Sequence, residues 1–351
     1  MYISEIKIHA IEKTPGSTKP SVFLDPFMGL GLGFEASHKN IRGRFHKGIL
    51  EAIYSQNRRK ITLGYAHPLL FGFILQASDR VSIMQEGKNV GFSALPDDLT
   101  VQNIEERLEI VNKALLTKPI NQNFKISFLS DLRYVSEDSS LVKLKFAPIF
   151  NMSFLDKPLN PSEGVSLKLI PANGGRLDFS KRYWFFESNL KAYFPLASNL
   201  IWAGAFDYGK FFEEGLKDDA RLFYQGGYHS LRGHNLRSVF PCNQIDEIGN
   251  CLNPSLTPTF YRTSQEIRIK LPKSLSMENW QWVSFWDWTQ VKDKRKDLKT
   301  EYANGIGMGI RYAFNFFTFR FDYTFKTNIG DPYSIEPFRI KSMEFDLAQS
   351  F

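Results

Sequence analysis

The stretch FYQGGYHSLRGHNLRSV, residues 223–239, concentrates side chains that could do chemistry: two arginines and two histidines among three glycines. Its serine is not a nucleophile elbow, because that motif needs glycine two residues before and two residues after the serine. The six histidines of the chain, at positions 9, 38, 46, 67, 229 and 234, show no metal-binding spacing. We therefore interpret His229 and His234 as polar loop residues, and the stretch as a basic, glycine-rich loop.

Other reactive groups give equally little sign of catalysis. The run GLGLG at 29–33 resembles a dinucleotide-binding loop, but it lies within a strand-like segment that no helix follows. Cys242 and Cys251 could form a local disulfide in an oxidising compartment, or they could be two separate thiols. Their neighbourhood offers too few further ligands for a metal site. The sequence predicts no enzyme, no cofactor and no metal.

Composition narrows the class of protein. Apolar residues make up 43% of the 351 residues, but no run approaches the ~18 apolar residues of a membrane-spanning helix. The chain carries 32 Phe, 14 Tyr and 6 Trp, an abundance typical of transmembrane β-barrels, whose strands face lipid and whose aromatic girdles mark both membrane interfaces. The first residues, MYISEIKIHAIEK, lack the apolar core of a signal peptide, so we expect a mature piece or a fragment if the protein is exported.

The net charge indicates which classes of partner the protein could bind. The net charge is +7, but Lys and Arg are scattered and form no basic stripe or recognised nucleic-acid module. We therefore expect no nucleic-acid partner. The positive charge suits anionic lipid headgroups and lipopolysaccharide instead.

Alternation of side chains is clearest in the C-terminal quarter. In GIGMGIRYAF (305–314), large apolar residues share one parity, whereas three glycines and Arg311 share the other. The segments FTFRFDYTF (317–325) and WQWVSFWDWTQ (280–290) follow the same rule, and Asp287 lies on the face opposite the tryptophans. Alternate side chains of a strand point to opposite faces. A soluble β-sandwich could show this pattern, but such rows of aromatic side chains favour a barrel that faces lipid.

The pattern predicts an all-β fold, a 16-stranded antiparallel transmembrane β-barrel, with residues 28–351 as the barrel and 1–27 as a first strand or a linker. Residues 103–116 fit a helix equally well. A long loop at 223–258 separates strands eleven and twelve. The predicted strands are 4–12, 28–37, 44–55, 58–67, 72–85, 103–116, 122–135, 140–155, 164–172, 180–196, 199–212, 259–271, 280–291, 303–314, 317–327 and 338–351.

Several motifs, taken in order, resemble the BamA/TamA-type outer-membrane assembly superfamily. The loop matches the pattern GG-x-x-[ST]-[VIL]-RG-[FYH] through Gly226, Gly227, Ser230, Leu231, Arg232 and Gly233. The other matching segments are HPLLFG (67–72), FLDKPLNPSEG (154–164), SFWDWTQV (284–291), IGMGIRYAFNFFTFRFDYTF (306–325) and the terminal FDLAQSF. The resemblance covers residues 28–351 and implies a barrel whose long loop enters the lumen.

The resemblance also implies roles for particular residues. The loop arginine, Arg232, is expected to dock on an acidic residue of the inner wall, which corresponds to Asp287. Glu266 shares its parity with Arg268 and is a second candidate wall acid. An arginine outside this context would be read as a solvated loop charge. In the last strand, the recognition signal for the barrel's own insertion would comprise Phe345, Leu347 and Phe351.

The sequence departs from the family pattern in two motifs. It also shows no periplasmic polypeptide-transport-associated domains ahead of residue 28, which family members usually carry, so we expect residues 1–27 to be a first strand or a linker from a missing periplasmic region. Thr289 stands where the family has a glycine after the aspartate, which puts close backbone packing there in question. NFFT at 315–318 replaces a Pro-Gly type turn. A second IRG, at 41–43, lacks the preceding glycines, and we interpret it as unrelated.

The predicted function is that of a component of the bacterial outer membrane. It would insert or translocate client outer-membrane or secreted polypeptides through a seam between its first and last strands, with possible periplasmic or lipoprotein accessory subunits. The alternative is a two-partner-type secretion pore that passes one dedicated soluble partner. A passive porin or an adhesin would not need the docked arginine.

Overall fold

The structure of the chain is a computed structural model. It describes residues 15–25, 29–55, 58–68, 70, 75–86, 107–136, 140–157, 160–178, 181–212, 223, 225–226, 230–234, 239–240, 257, 259–272, 279–292, 300–313, 318–326 and 342–348. Within these residues, no helix is long and apolar enough to cross a membrane.

The described secondary structure is all β. The strands are β1 (Gly16–Asp25), β2 (Gly29–Ile41), β3 (His46–Ser55), β4 (Arg58–His67), β5 (Gln76–Glu86), β6 (Arg107–Pro119), β7 (Phe124–Ser136), β8 (Ser140–Ser153), β9 (Gly164–Arg176), β10 (Arg182–Ala197), β11 (Leu200–Phe211), β12 (Thr259–Lys270), β13 (Trp280–Lys292), β14 (Thr300–Ala313), β15 (Thr318–Lys326) and β16 (Ser342–Ala348).

Each strand pairs antiparallel with its neighbours in the chain, and β1 also lies beside β16. The pairing of β1 with β2 runs from Gly16 opposite His38 to Asp25 opposite Gly29. By contrast, β1 and β16 share one pair of residues, Leu24 and Phe345. The prediction of an antiparallel all-β sheet is confirmed.

The two faces of the sheet differ in chemistry. The outer face exposes apolar side chains such as Ile61 and Leu63, which are 57% and 60% exposed. The inner face buries polar groups and glycines, and it contacts the loop residues between β11 and β12. In β14, for example, Ile306 is exposed whereas Gly305 is buried, as the alternation predicts. The outer face is therefore apolar, and the inner face is polar.

The structure shows one strand that the sequence analysis did not predict and excludes the helical alternative for another segment. Several other predictions fall outside the described residues. The first described strand is 16–25; the predicted strand 4–12 lies outside the described residues. The helical alternative for 103–116 is wrong, because residues 107–119 form β6. The sequence analysis missed β1 because its residues, GSTKPSVFLD, do not alternate between apolar and polar side chains, and because Pro20 cannot donate a backbone hydrogen bond. The turn at 315–317, both cysteines and Phe351 also lie outside the described residues.

Candidate functional site

The site is built around Arg232. This residue lies in the loop between β11 and β12, packs against the inner face of the sheet and is 3% exposed. Its Nε donates to Oδ2 of Asp287 at 2.6 Å, and its Nη2 donates to Oδ1 of the same carboxylate at 2.7 Å. Its Nη1 donates to Oε1 of Glu266 at 2.8 Å and to Oδ2 of Asp322 at 3.3 Å. The planar guanidinium suits this arrangement because it presents donors along a rigid fork. One loop residue thus binds three strands of the wall.

The flat faces and the backbone of Arg232 are also in contact. Its guanidinium carbon lies 3.5 Å from the centre of the Phe285 ring, a cation–π contact. Its backbone N–H donates to Oδ2 of Asp287 at 3.3 Å. A Cβ atom on Gly305 would lie 2.2 Å from the Arg232 carbonyl oxygen. Only glycine at position 305 therefore lets the loop backbone approach the wall this closely.

The charges around Arg232 form a dense buried cluster. Glu266 is 1% exposed and also accepts from Nε of Arg268 at 2.9 Å and from Nη2 of Arg311. Arg320 lies 3.5 Å from Asp322 and 3.9 Å from Glu266. Four arginines therefore face three carboxylates. Such a cluster is costly to desolvate, but removing Arg232 would leave the buried Asp287 without the arginine that binds both of its carboxylate oxygens.

Electrostatics keeps Arg232 charged in this setting. Burial by itself lowers the pKa of its guanidinium, but attraction and hydrogen bonding by Asp287, with attraction by Glu266 and Asp322, raise that pKa well above the ordinary value. Arg232 therefore contributes a charged guanidinium to the docking interaction.

The loop around Arg232 is held in shape by its own residues. Gln225 and Val239 exchange two backbone hydrogen bonds, of 2.9 and 2.8 Å, which close the loop into a hairpin. Ser230 Oγ accepts from the backbone of Gly226 at 3.1 Å and donates to Gln225 at 2.9 Å. Gly226 and Gly233 have φ of 116° and 83°, values that side chains disfavour. These glycines and Ser230 therefore set the backbone path that aims Arg232 at the wall.

Apolar contacts hold the loop at two further places. Leu231 is fully buried in a cluster with Val239, Val291 and Ala303. Phe223 is 3% exposed, and its ring centre lies 4.6 Å from that of Phe211 and 5.0 Å from that of Phe260. Phe223 is an aromatic anchor at the start of the loop, about ten residues before the arginine in the sequence.

Two polar residues behave differently from what the sequence suggested. His234 is buried, and its Nε2 lies 2.8 Å from the carbonyl oxygen of Asn304, so it belongs to the docking contact rather than to a solvated loop. Thr289 is fully buried and donates to the Tyr261 carbonyl oxygen at 3.0 Å. The wall therefore accommodates a threonine at the position where the family has glycine.

The predicted site residues divide by where they lie. Arg232, Asp287 and Glu266 come together in one cluster, and Gly226, Ser230, Leu231 and Gly233 shape the loop around it. Phe345 and Leu347 lie on β16, and Phe345 is opposite Leu24 of β1 in the register. Gly227, His229, Cys242, Cys251 and Phe351 lie outside the described residues.

Sequence reasoning missed several members of the site. Asp322 and Arg320 have the inner-face parity of FTFRFDYTF, so the alternation predicted the face of the sheet on which they lie. It did not predict that they lie next to Arg232. Phe285 and Gly305 gave no signal as contacts, because only the register of β12 to β14 brings them beside the loop. In the part of the chain that the structure describes, no group of three or more His, Cys, Asp or Glu side chains could hold a metal ion.

Comparisons with known proteins agree on one architecture. The Omp85 superfamily domain matches residues 40–351. No curated protein matches the sequence. Among solved structures, the chain is similar to BamA from Haemophilus ducreyi lacking POTRA domains 1-3, with a TM-score of 0.71 and 15% identity, over 96% of this chain and 69% of that chain.

Two further structures share the fold. CdiB from Escherichia coli has a TM-score of 0.59 and 11% identity, over 92% of this chain and 61% of that chain. CdiB from Acinetobacter baumannii has a TM-score of 0.58 and 13% identity, over 94% of this chain and 57% of that chain. The chain thus spans less than two thirds of each CdiB chain, and at these identities the likeness is one of barrel fold.

Proposed function

This chain belongs to the Omp85 superfamily of bacterial outer-membrane β-barrel proteins, and we propose that it inserts or translocates other polypeptides through a lateral seam. In this proposal the sheet closes as a sixteen-stranded barrel in the outer membrane, and β1 and β16 form the seam. The loop that carries Arg232 fills the lumen. The barrel works by templating and guiding a client chain, without enzymatic chemistry.

The observation that carries the proposal is the contrast between the two edges of β1. Along β2, β1 is paired from Gly16 to Asp25, whereas its described contact with β16 is the pair Leu24 and Phe345. On its other side, β16 pairs with β15 from Ser342 to Ala348. The seam is the least-paired junction among the described strands.

A sparsely paired seam has a physical consequence in lipid. Each backbone N–H or C=O group without a partner in hydrocarbon costs several kcal/mol. A client strand that supplies these partners would be bound by β-augmentation, as at any exposed sheet edge. The clients that fit are outer-membrane or secreted polypeptides with strand-forming segments. Periplasmic or lipoprotein subunits that deliver such clients are the accessory partners that fit this scheme.

The docked loop supports a lateral route over a central one. Arg232 and Phe223 hold the loop against the wall at two places, through the acidic cluster and through Phe211 and Phe260. Opening the lumen would require breaking both contacts and exposing a buried charge cluster. Opening the seam requires far fewer hydrogen bonds to be broken.

A second candidate function is a secretion pore that passes one dedicated soluble partner through the lumen. The shared fold with the two CdiB structures favours keeping this candidate. The two functions differ in what the loop does. Deletion of residues 223–240 should open a plugged pore to large ion currents in planar bilayers, whereas an insertase that depends on the loop should lose folding or client assembly instead.

The seam itself can be tested by disulfide crosslinking. In a background with Cys242 and Cys251 replaced by serine, the pair Leu24→Cys and Phe345→Cys reports seam closure. The matched control is Lys19→Cys with Glu35→Cys, which are opposite each other across the well-paired β1–β2 junction. We expect client polypeptide to lower crosslinking at the seam and to leave the control pair unchanged. Equal, client-independent crosslinking of both pairs would contradict the lateral mechanism.

A further inference from the structure

A groove on the outer face lies beside the turn between β2 and β3. Its volume is about 550 Å³, and it is open to the outside. Most of its lining comes from the outer face of β1 to β4, where strand register sets small residues side by side with larger apolar ones. These outer-face lining residues are Gly16, Thr18, Ala36, His38, Gly48, Leu50, Leu63 and Tyr65.

One side of the groove is bordered by apolar side chains, whereas Thr18 and His38 line its other side. Leu50, Leu63 and Tyr65 are 41%, 60% and 45% exposed and belong to the apolar outer band. Gly48 carries no side chain, and Cδ1 of Ile41 fills the space next to it, 2.9 Å from where a Cβ atom would lie. A hydrocarbon chain fits such a trough, since it buries apolar surface without needing hydrogen bonds.

The end of the groove carries positive charge. Arg42 and Arg44 are exposed in the turn. The rings of His46 and His67, at the adjoining ends of β3 and β4, have centres 4.3 Å apart. Among the described residues, no carboxylate lies within ion-pair distance of Arg42 or Arg44. The turn therefore offers two guanidinium groups to an external anion.

The turn also has an unusual backbone and an unusual side chain. Arg42 and Phe45 have φ of 56° and 58°, the left-handed region that favours glycine. Asn40 Oδ1 holds this shape by accepting from the Phe45 backbone at 2.9 Å. Phe45 is 74% exposed, the highest value among the described large apolar side chains. Backbone strain of this kind clusters at functional sites, and here it displays an apolar ring next to two cations.

The order of the strands indicates which leaflet of the membrane contacts this turn. Connections in an antiparallel sheet alternate between its two ends, so the turns at 42–45, 120–123 and 198–199 lie at one end. The long connection between β11 and β12 lies at the other end. Outer-membrane barrels have short periplasmic turns and longer extracellular loops. Residues 42–45 therefore belong to the periplasmic side, whose leaflet consists of phospholipid.

We propose that the groove and the β2–β3 turn together bind one anionic phospholipid of the periplasmic leaflet. An acyl chain lies along the groove past Ala36 and Leu50, and the phosphate lies on Arg42 and Arg44. Phe45 inserts at the membrane interface, where aromatic rings are favoured. The site rests on the proposed function insofar as the outer face meets lipid. The groove includes Gly16 and Thr18 of β1, so a bound lipid would contact the strand whose other edge faces β16.

Native mass spectrometry of the full chain in detergent tests the site. Dioleoyl phosphatidylglycerol is titrated against dioleoyl phosphatidylcholine, and bound lipid is counted per protein. We expect one tight phosphatidylglycerol and no equally tight phosphatidylcholine. Arg42→Ala with Arg44→Ala should weaken the tight binding on the order of 10-fold, since each basic residue contributes substantially near an anionic headgroup. Ala36→Phe, which fills the groove, should also weaken it.

The matched control is Lys118→Ala with Lys125→Ala, which removes two exposed cations flanking the turn at 120–123 of the same end. This pair should leave binding unchanged. Equal losses from the two double variants, or equal affinity for both lipids, would overturn the proposal. Heat-modifiable gel migration checks that each variant is folded. The assay contains no client, so absent lipid binding with intact client assembly refutes the lipid site alone, and the reverse result refutes the proposed function alone.

Discussion

The carbonyl oxygen of Arg232 occupies the space that a side chain at Gly305 would need, 2.2 Å from the position of a Cβ atom. The loop and β14 are thus in contact through backbone as well as through charge. The absence of a side chain at one wall position sets how deeply the loop can dock.

Gly305→Ala should push the loop away from the wall. We expect a loss of about 1–3 kcal/mol in the free energy of unfolding, the usual cost of overpacking, together with faster proteolysis of the loop. The matched control is Gly16→Ala, because a Cβ atom there would meet nothing closer than 3.9 Å. If both variants unfold in urea at the same concentration, the close approach at Gly305 does not matter.

Arg232→Ala should destabilise the folded barrel by about 3–5 kcal/mol, because it leaves buried carboxylates without their partner. Arg232→Lys should recover only part of this loss, since an ammonium group cannot form both parallel bonds to Asp287. Urea unfolding and assembly of a client barrel are the measurements. The exposed Arg59→Ala is the control and should be neutral. Full recovery by lysine would show that charge alone holds the loop.

Glu266→Gln should cost more stability than Asp322→Asn. Glu266 accepts from three arginines, at 2.8 Å from Arg232 and 2.9 Å from Arg268 and also from Arg311. Asp322 lies farther from its partners, at 3.3 Å from Arg232 and 3.5 Å from Arg320. Both substitutions keep the side-chain shape and remove one negative charge, so each serves as the control of the other. Equal urea midpoints would contradict a central role for Glu266.

Phe223→Ala should loosen the start of the loop without releasing Arg232. We expect brief, partial increases of current in planar bilayers, and larger, longer openings when Phe223→Ala is combined with Arg232→Ala. Phe212→Ala, which removes a ring that is 60% exposed, is the matched control. If Phe223→Ala alone gives the conductance of the double variant, the loop has one anchor rather than two.

Asp156, in the turn between β8 and β9, should make stability depend on pH. Burial raises the pKa of its carboxyl, but hydrogen bonds from the Ser162 hydroxyl and from the backbone of Ser162 and Glu163 outweigh this and lower the pKa. A lowered folded-state pKa means that the stabilisation is present above the ordinary value of about 4 and is lost as pH falls through the folded value.

The difference in unfolding midpoint between the wild-type chain and Asp156→Asn should accordingly shrink as the solution is acidified below that ordinary value. Glu163→Gln is the control, because only the backbone of Glu163 binds Asp156. A difference that stays constant down to strongly acid pH would show that the carboxylate charge contributes nothing to this turn.

The sequence predicted the strands well where alternation is strict, as in β13 and β14, because a period of two residues follows from the local geometry of an extended chain. It failed at β1, which carries Pro20 and whose position depends on pairing with β2 along its whole length. The helical reading of β6 failed for a related reason: the spacing of Leu108, Val111 and Leu115 follows the helical period of three to four residues, but pairing with β5 and β7 makes the segment a strand.

For the site, the sequence by itself determined that Asp287 and Glu266 face inward and that a glycine-rich arginine loop precedes β12. Parity along a strand is local, so these inferences needed no neighbours. Only the tertiary structure decided that Asp322, Phe285 and Gly305 stand level with Arg232. The position of each residue along its strand, relative to Arg232, depends on the register between strands, such as Asp287 opposite Gly305 and Gly309 opposite Asp322. Register is a property of the whole sheet.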